Sequence, residues 1–543
     1  MWFLNRLEET VPGASSAYNL PLALRISGVL DVAALEAALG DVADRHESLR
    51  TVLPDVDGVP HQEVRHGDAG RPPLIVVRVD EADLDRTLAG QLATGFDLRT
   101  DLPWRVCLVV VGAGEYVLSV VAHHVAVDGW SMGVLARDLE VAYAARCEGR
   151  VPGWDALPVQ YADYALWQRE VLGELDDPAS VLSGQLAFWR DALRGVPQEL
   201  VLPVDRARPG VPSFKGRLVP VAADAFTHGR LVEVAGQGRA TMFMVVHAAV
   251  ALLLSRLGAG NDIPLGTPIA GRGDAALEEL AGFFVNTLVL RTDVSGDPTF
   301  AELLERVRAA DLAAYAHQDV PFERLVEELN PARSLSRNPL FQVMLALQNI
   351  PEVAWELPGV DVRPAPLPPE LSARFDLAVS MVERRDERGA PAGLDGEILY
   401  ATDLFDDRTA RALAERLAHV LEQVAADPCL RLSEIDVLTP AERIRVVEHW
   451  NDTASPVPDA LAPEQFGRQV AASPGAVALV SGEQRLAYGE VGGRVSRLAR
   501  YLMGVGVGPE VRVAVVGERS TELVVSLLAV SLAGGVFVPV DAG

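Results

Sequence analysis

The stretch His123-His124-Val125-Ala126-Val127-Asp128-Gly129 is the most informative part of this chain. The apolar run Tyr116 to Ala122 precedes it and predicts a buried strand. A helical pattern follows, for which Ser131 is a suitable N-cap. One face of that helix is apolar: Val134, Leu135, Leu139 and Ala142. Two histidines, a carboxylate and a glycine therefore lie on a tight strand-to-helix connection, where a rigid scaffold exposes side chains.

The residue types of this connection favour chemistry that moves protons. Histidine can take and return a proton near neutral pH. We interpret Asp128 as an orienting group or ion-pair partner, and Gly129 as a place where backbone or ligand comes close. Adjacent histidines are also candidate metal ligands, but no third ligand lies nearby at a familiar spacing. We therefore predict no metal site here. A surface His-His pair without catalytic function is the simplest alternative.

The heptapeptide resembles the HHxxxDG active-site motif of the condensation domains of non-ribosomal peptide synthetases, and of the wider chloramphenicol-acetyltransferase-like superfamily. Further stretches are similar to motifs of the same family, in the expected order. They are Arg45-His46-Glu47-Ser48-Leu49-Arg50-Thr51, Tyr161-Ala162-Asp163-Tyr164-Ala165-Leu166-Trp167-Gln168, Gly282-Phe283-Phe284-Val285-Asn286-Thr287, His317-Gln318-Asp319-Val320-Pro321-Phe322-Glu323 and Ser336-Arg337-Asn338-Pro339-Leu340-Phe341. Trp2-Phe3-Leu4 resembles the end of the family's first motif, and Trp2 to Glu8 looks more like domains that accept an L-configured donor.

The resemblance implies an α/β fold of two chloramphenicol-acetyltransferase-like lobes, arranged as a V-shaped pseudo-dimer with the active site between them. It implies an acyltransferase that forms an amide bond between two substrates. One is an aminoacyl or peptidyl thioester on an upstream carrier domain, and the other is the amine of an aminoacyl thioester on a downstream carrier. Both would be held on phosphopantetheine arms of partner carrier domains, with no metal and no permanently bound cofactor.

The resemblance also assigns site residues. His124 would accept the amine proton, or hold the amine and stabilise the charge that develops at the reacting centre. His123 would instead point into the protein and support the loop, and Gly129 would let a pantetheine arm pass. Gly266-Thr267-Pro268-Ile269-Ala270-Gly271-Arg272 resembles the segment whose arginine pairs with the motif aspartate, which predicts an Asp128–Arg272 ion pair. Candidates for the substrate tunnel are Trp130, Ser131, Asn286, Asn338 and Ser380.

Composition sets independent limits. A chain of 543 residues is long enough for two or more domains, and 49% hydrophobic residues indicate a globular protein. The net charge of −27 argues against nucleic-acid or anionic-membrane partners. Cys107, Cys147 and Cys429 lie far apart, which suggests buried thiols in a reducing compartment. With no signal peptide after Met1, we expect a cytoplasmic protein.

The pattern along the chain predicts the domain organisation. We expect an N-terminal lobe over 1–172, a C-terminal lobe over 173–437 and a linker over 438–460. Predicted helices include one from an Asp31 cap through Leu49, an apolar core helix from Met242 to Leu254 closed by Gly258, and one from Thr299 to Ala316. The core helix is too short to span a membrane. Strands are expected at Leu74–Arg78, Val106–Val111, Tyr116–Ala122 and Leu288–Arg291.

Residues 461–543 resemble the start of an adenylation (AMP-binding) domain. Leu486-Ala487-Tyr488-Gly489-Glu490 is similar to its first core motif, and Leu532 to Asp541 to its second. No glycine-rich phosphate loop and no lysine follow Val437, although ATP chemistry needs amides and counter-charge around the phosphates. The remainder of the adenylation domain is thus an expected partner. We predict that the purified 543-residue chain gives no amino-acid-dependent pyrophosphate exchange, and exchange above the protein-free blank would contradict this.

Two other functions stay open from the sequence. One is a different coenzyme A- or carrier-dependent acyltransferase of the same superfamily, against which the adenylation-like segment argues. The other is a non-catalytic docking or recruitment domain of a synthetase. Such domains usually depart from HHxxxDG, whereas here the motif is complete.

Overall fold

The computed structural model of the chain describes residues 16–331, 334, 336–348, 355–366 and 371–541. These residues form two compact units, divided after Arg443. The first unit holds two separate β-sheets with their helices, and the second is a smaller α/β segment. This mixed α/β architecture confirms the fold class predicted from the sequence.

Strands of the first unit are numbered along the chain. They are β1 (Asn19–Gly28), β2 (Leu74–Arg78), β3 (Trp104–Gly112), β4 (Glu115–His123), β5 (Lys215–Ala223), β6 (Asp262–Ile269), β7 (Asn286–Asp293), β8 (Val343–Gln348), β9 (Val360–Pro364), β10 (Leu371–Ser372), β11 (Leu377–Arg385) and β12 (Pro391–Ala401). Four two-residue strands between Thr51 and Val64 form two small hairpin-like pairs.

Helices of the first unit are α1 (Val32–Arg45), α2 (Leu84–Ala93), α3 (Gly129–Cys147), α4 (Tyr161–Leu172), α5 (Val181–Ala192), α6 (Ala225–Gln237), α7 (Met242–Leu254), α8 (Phe300–Tyr315), α9 (Phe322–Leu329) and α10 (Asp407–Ala426). Helix α11 (Pro440–Val447) contains the boundary between the units and lies within the predicted linker.

The first sheet has the order β9-β1-β4-β3-β2 and forms the N-terminal lobe. Its central strands β1, β4 and β3 pair antiparallel, and β2 joins β3 in parallel. Helices α1 and α3 pack on one another beside it, because their apolar faces share one core with β1, β3 and β4. Strand β9 comes from much later in the chain and pairs with β1. The first lobe therefore borrows an edge strand from the second half of the domain.

The second sheet has seven strands in the order β7-β6-β8-β11-β12-β5-β10. Helices α6, α7, α8 and α10 share its largest core. Twelve of the thirteen residues of α7 are buried, which confirms it as a core helix. With the following turn, the apolar segment Met242–Ala259 reaches 18 residues, enough by length and composition to cross a membrane, yet 67% of it is buried inside the protein. Gly258, with φ of 101°, ends the helical path inside that turn.

Three local predictions were wrong. Ser131 does not cap α3, because Asp128 is the N-cap and Ser131 occupies the third helical position. The first helix does use Asp31 as its N-cap, but it ends at Arg45 and a separate 3₁₀ turn, Glu47–Arg50, follows. Cys107 is buried as expected, whereas Cys147 and Cys429 are exposed.

Within residues 462–541, the second unit contains three α-helices and two pairs of strands. They are α12 (Ala462–Ala472), β13 (Val477–Ser481), β14 (Gln484–Ala487), α13 (Tyr488–Gly504), β15 (Arg512–Val516), α14 (Thr521–Leu532) and β16 (Val536–Val540). Strands β15 and β16 pair in parallel across α14, which gives a βαβ unit. A small apolar core between α13 and α14 holds the unit together. Both motifs that resemble an adenylation domain lie here.

Candidate active site

The HHxxxDG segment is the connection between β4 and α3. Its backbone is fixed on both sides, since the His123 amide donates to the Pro103 carbonyl (2.7 Å) and the His124 amide donates to the Tyr18 carbonyl (2.9 Å). A further bond from the Ala126 amide to the His123 carbonyl (3.0 Å) closes a turn. Main-chain bonds therefore set the positions of both imidazoles before any substrate arrives.

His124 is held in one tautomer. Its Nδ1 lies 2.9 Å from the Val127 carbonyl oxygen, and a carbonyl can only accept, so Nδ1 carries the proton and Nε2 remains an acceptor. The edge of the Phe283 ring packs against the imidazole, with centroids 5.1 Å apart. Burial, and then the positive charge of Arg374, lower the pKa of His124 to about 4. At neutral pH the ring is uncharged, and its free nitrogen can accept a hydrogen bond.

His123 is turned into the protein and 1% exposed. Its Nδ1 accepts a hydrogen bond from the Val125 amide (3.0 Å), and its ring contacts Tyr18 and Phe96. Burial, assisted by the neighbouring His124 and by Arg374, lowers the pKa of His123 to about 3. The Nε2 atom has no hydrogen-bond partner among the described residues. The side chain thus supports the loop as a neutral, packed group.

We predict that burial of His123 makes the domain acid-labile. In the folded protein the pKa of His123 is about 3, below the ordinary value of 6.5. The neutral side chain therefore contributes its full stabilisation above pH 6.5. This stabilisation is lost as pH falls, because only the unfolded chain takes up the proton. Between pH 7.5 and 5.5 this costs about 1 kcal/mol. Denaturant unfolding at both pH values should show a smaller pH dependence for His123→Gln than for the native chain. Equal dependence in both would contradict the assignment.

Asp128 is fully buried and joins two parts of the chain. Its Oδ1 accepts from the amide (2.9 Å) and hydroxyl (2.7 Å) of Ser131, forming the N-terminal cap of α3. Its Oδ2 accepts from the Phe284 amide (3.1 Å). The Ser131 hydroxyl also lies 3.0 Å from the Gly282 carbonyl. Ser131 is therefore part of the support beneath the loop and does not line the cavity described below.

Arg272 completes this network and confirms the predicted ion pair. Its Nη2 lies 3.1 Å from Asp128 Oδ1, and both side chains are at most 3% exposed. Its Nη1 donates to the carbonyls of Leu277 and Leu280, and the guanidinium stacks on the Phe284 ring at 4.0 Å. The buried carboxylate is thereby both neutralised and hydrogen-bonded, as a charge in such a place requires.

Two of the other family-like motifs, those that begin at Arg45 and Tyr161, meet at the same segment, residues 281–287. His46 accepts from the Ala281 amide through Nδ1 (3.2 Å) and contacts Asp138 of α3 through Nε2 (2.7 Å). The Tyr161 hydroxyl donates to the Phe283 carbonyl (2.7 Å). These two motifs therefore hold the segment against the HHxxxDG loop and the helix that follows it.

Asn286, at the end of that segment, also fixes backbone. Its Nδ2 donates to the carbonyls of Gln318 (2.9 Å) and Val320 (2.7 Å), and its Oδ1 accepts from the Phe322 amide (3.0 Å). The motif that begins at His317 is thus tied to the start of β7. Asn286 is at the same time part of the cavity wall.

A large cavity of about 2110 Å³ opens beside His124 and is lined by both sheets and their connections. Leu20 and Leu22 of β1 contribute from the first lobe, and Met344 of β8 contributes from the second. Of the tunnel candidates, Trp130, Asn286, Asn338 and Ser380 line it, as do His124, Asp128 and Gly129. The Asn338 Oδ1 is buried without a partner among the described residues. The cavity therefore brings most of the predicted site residues to one place.

Three cavity residues escaped the sequence interpretation. Arg374 lines the wall and acts electrostatically on both histidines. Phe283 packs on the His124 ring, and the Tyr18 carbonyl accepts a hydrogen bond from the His124 amide. Arg374 and Tyr18 belong to none of the motifs, so only spatial proximity identifies them. The opening segment Trp2 to Glu8, on which the L-donor expectation depends, lies outside the described residues.

Comparison with known proteins agrees with this geometry. The family model described as a condensation domain matches residues 1–446, and that of the AMP-binding enzymes matches residues 466–543. A dimodular nonribosomal peptide synthase of Bacillus subtilis (strain 168) is 48% identical over 541 residues, which is 100% of this chain and 22% of that protein. The chain thus spans about a fifth of this relative's length.

Two solved structures are similar as well. The X-domain from teicoplanin biosynthesis is 43% identical, with a TM-score of 0.75, and the match covers 80% of this chain and 95% of that one. A four-domain nonribosomal peptide synthetase bound to AMP and glycine is 25% identical, with a TM-score of 0.82 over 100% of this chain and 41% of that one. The chain therefore belongs to the condensation-domain family of the nonribosomal peptide synthetases, acyltransferases that form peptide bonds, and continues into a segment of the AMP-binding enzyme family.

Proposed function

We propose that the chain forms an amide bond between a carrier-bound aminoacyl or peptidyl thioester and the amine of a second carrier-bound aminoacyl thioester. One observation carries this proposal. His124 presents an acceptor nitrogen beside a cavity that both lobes line, in a loop fixed by buried main-chain and ion-pair contacts. A thioester is already activated, so holding the two reactants together supplies much of the rate. Positioning of this kind contributes roughly 7–11 kcal/mol in favourable cases.

The tautomer of His124 supports a role toward the acceptor amine. With Nδ1 bonded to Val127, Nε2 can accept a hydrogen bond from the amine and orient its lone pair toward the thioester carbonyl. A new C–N bond then forms, the C–S bond breaks, and the proton lost by the amine passes to the departing thiolate. Since the pKa of His124 is lowered to about 4, the imidazole is a weak base at equilibrium. Holding and orienting the amine is therefore the role that this environment favours.

The cavity suits substrates delivered on flexible arms. A volume of about 2110 Å³ exceeds the roughly 300–1,000 Å³ of ordinary small-molecule sites, and the wall is largely apolar. Phosphopantetheine, which partner carrier domains would bring, supplies the thioester. Gly129 and Trp130, exposed at the start of α3, would border its path, and Asn338 and Ser380 line the cavity from the second lobe. We propose upstream and downstream carriers and the remainder of an adenylation domain as partners, in the cytoplasm.

Similarity to the X-domain raises a second candidate, recruitment of a partner enzyme, because one solved structure holds the X-domain in a complex with OxyB. The complete histidine motif beside the cavity favours catalysis. Incubation with separately loaded donor and acceptor carriers, followed by mass spectrometry of the acceptor arm, tests this. Dipeptidyl acceptor is expected. Product only from a soluble acyl-coenzyme A and a free amine would indicate another acyltransferase, and no product with any pair would indicate recruitment.

A further inference from the structure

Arg374 is an arginine of the second lobe that faces the same cavity as His124. It lies between β10 and β11 and is half-buried. No sequence motif points to it. Its position matters because His124, the proposed centre of the reaction, lines the same cavity.

Aromatic rings hold the Arg374 side chain. Its guanidinium lies 4.8 Å from the centroid of the Tyr18 ring and 5.9 Å from that of Phe375. Tyr18 is also the residue whose carbonyl accepts the His124 amide hydrogen bond, and its ring contacts His123. Arg374 of the second lobe therefore packs on Tyr18 of the first lobe, and the Tyr18 backbone is hydrogen-bonded to the HHxxxDG loop.

Within the described part of the chain, Arg374 lacks a carboxylate partner. The other three arginines of the cavity wall each have one: Arg190 pairs with Glu328, Arg194 with Asp191, and Arg337 with Glu199. Aromatic faces hold a guanidinium without neutralising it. Among the described residues, no carboxylate therefore neutralises the positive charge of Arg374, and that charge acts on the cavity.

Among the described residues, the charged side chains that act most strongly on His124 are Arg374 and Asp128. His123 is neutral and adjacent, and Asp128 is neutralised by Arg272. After burial, Arg374 is the leading cause of the lowered pKa of His124, and it also lowers that of His123. A like charge nearby disfavours protonation of each imidazole. The same field would act on an ammonium group brought next to His124.

We propose that Arg374 is a positioning residue that keeps the reaction centre free of a second positive charge, so that both the His124 Nε2 and the acceptor amine stay unprotonated. For the amine, this rests on the proposed function, because only a neutral amine has the lone pair that attacks the thioester. For His124, the proposed role of Arg374 does not depend on any substrate.

The test for His124 is an imidazole titration in the full chain. With ¹³C-labelled histidine, the His124 signal is identified by its loss in His124→Gln, and chemical shifts are followed from pH 8 to 5. In the native protein we expect it to remain in the neutral form to pH 5. In Arg374→Met the titration should move up by about 1 pH unit, whereas Arg374→Lys and Arg194→Met, the latter with the same change of net charge, should resemble the native protein.

The kinetic counterpart is the pH profile of dipeptide formation. In Arg374→Met the acidic limb of this profile should move to higher pH, and in Arg374→Lys it should lie where it does in the native protein. If no variant forms dipeptide but the titration moves, the proposed function fails while the role of Arg374 stands. An unmoved titration in folded Arg374→Met overturns the proposal. Should that variant not fold, Arg374→Gln removes the charge but keeps a long polar side chain, and an unmoved titration there overturns the proposal equally.

Discussion

Replacement of His124 by alanine is expected to reduce dipeptide formation about 10²–10⁴-fold while leaving the fold intact. Among the described residues, the side chain makes one hydrogen bond, to the Val127 carbonyl within the same loop. Its loss therefore removes the acceptor for the amine without opening the core. The measurement is single-turnover transfer from a loaded donor carrier to a loaded acceptor carrier at fixed carrier concentrations.

Two further variants sharpen this experiment. His124→Gln keeps an acceptor but no basic nitrogen, so partial activity would indicate that orientation of the amine matters more than proton transfer. His61→Ala changes an exposed histidine outside the cavity wall and should match the native rate. Near-native dipeptide formation by a folded His124→Ala chain would contradict the catalytic assignment.

Replacement of Arg272 by alanine is expected to lower the free energy of unfolding by about 3–5 kcal/mol and to reduce activity with it. The substitution leaves the Asp128 carboxylate buried without its cation and frees the carbonyls of Leu277 and Leu280. Since Asp128 also caps α3, the HHxxxDG loop should lose its fixed geometry. Denaturant unfolding monitored by circular dichroism measures the stability change.

A matched control is Arg411→Ala. Arg411 pairs with Asp407 at 2.6 Å, but both side chains are about half exposed, and such pairs contribute at most about 1 kcal/mol. The contrast between the two variants isolates the effect of burial. If Arg272→Ala abolishes folding, Arg272→Lys retains the charge without the forked geometry and should give an intermediate loss. Native stability and rate in Arg272→Ala would show that the pair is dispensable.

The sequence predicted much of the fold because local patterns have local causes. Asp31 caps its helix as expected, since a side-chain oxygen can satisfy free amides only at a helix start, and the helix predicted from Thr299 to Ala316 spans Phe300–Tyr315. The apolar run from Met242 to Leu254 is the core helix. Local pattern predicted Ser131 as the cap of α3, but Asp128 caps it, and the two side chains also contact Gly282 and Phe284, about 150 residues away.

The sequence by itself determined the family, the order of the motifs and the identity of the histidine beside the cavity, because each motif is a contiguous stretch of residues with a fixed spacing. Only the tertiary structure decided which tautomer His124 adopts, which motif residues form the support beneath the loop and which unassigned residues share the cavity. Strand β9 joining the first sheet and Arg374 reaching Tyr18 are both long-range contacts. Their partners lie hundreds of residues apart, and no local periodicity encodes such a pairing.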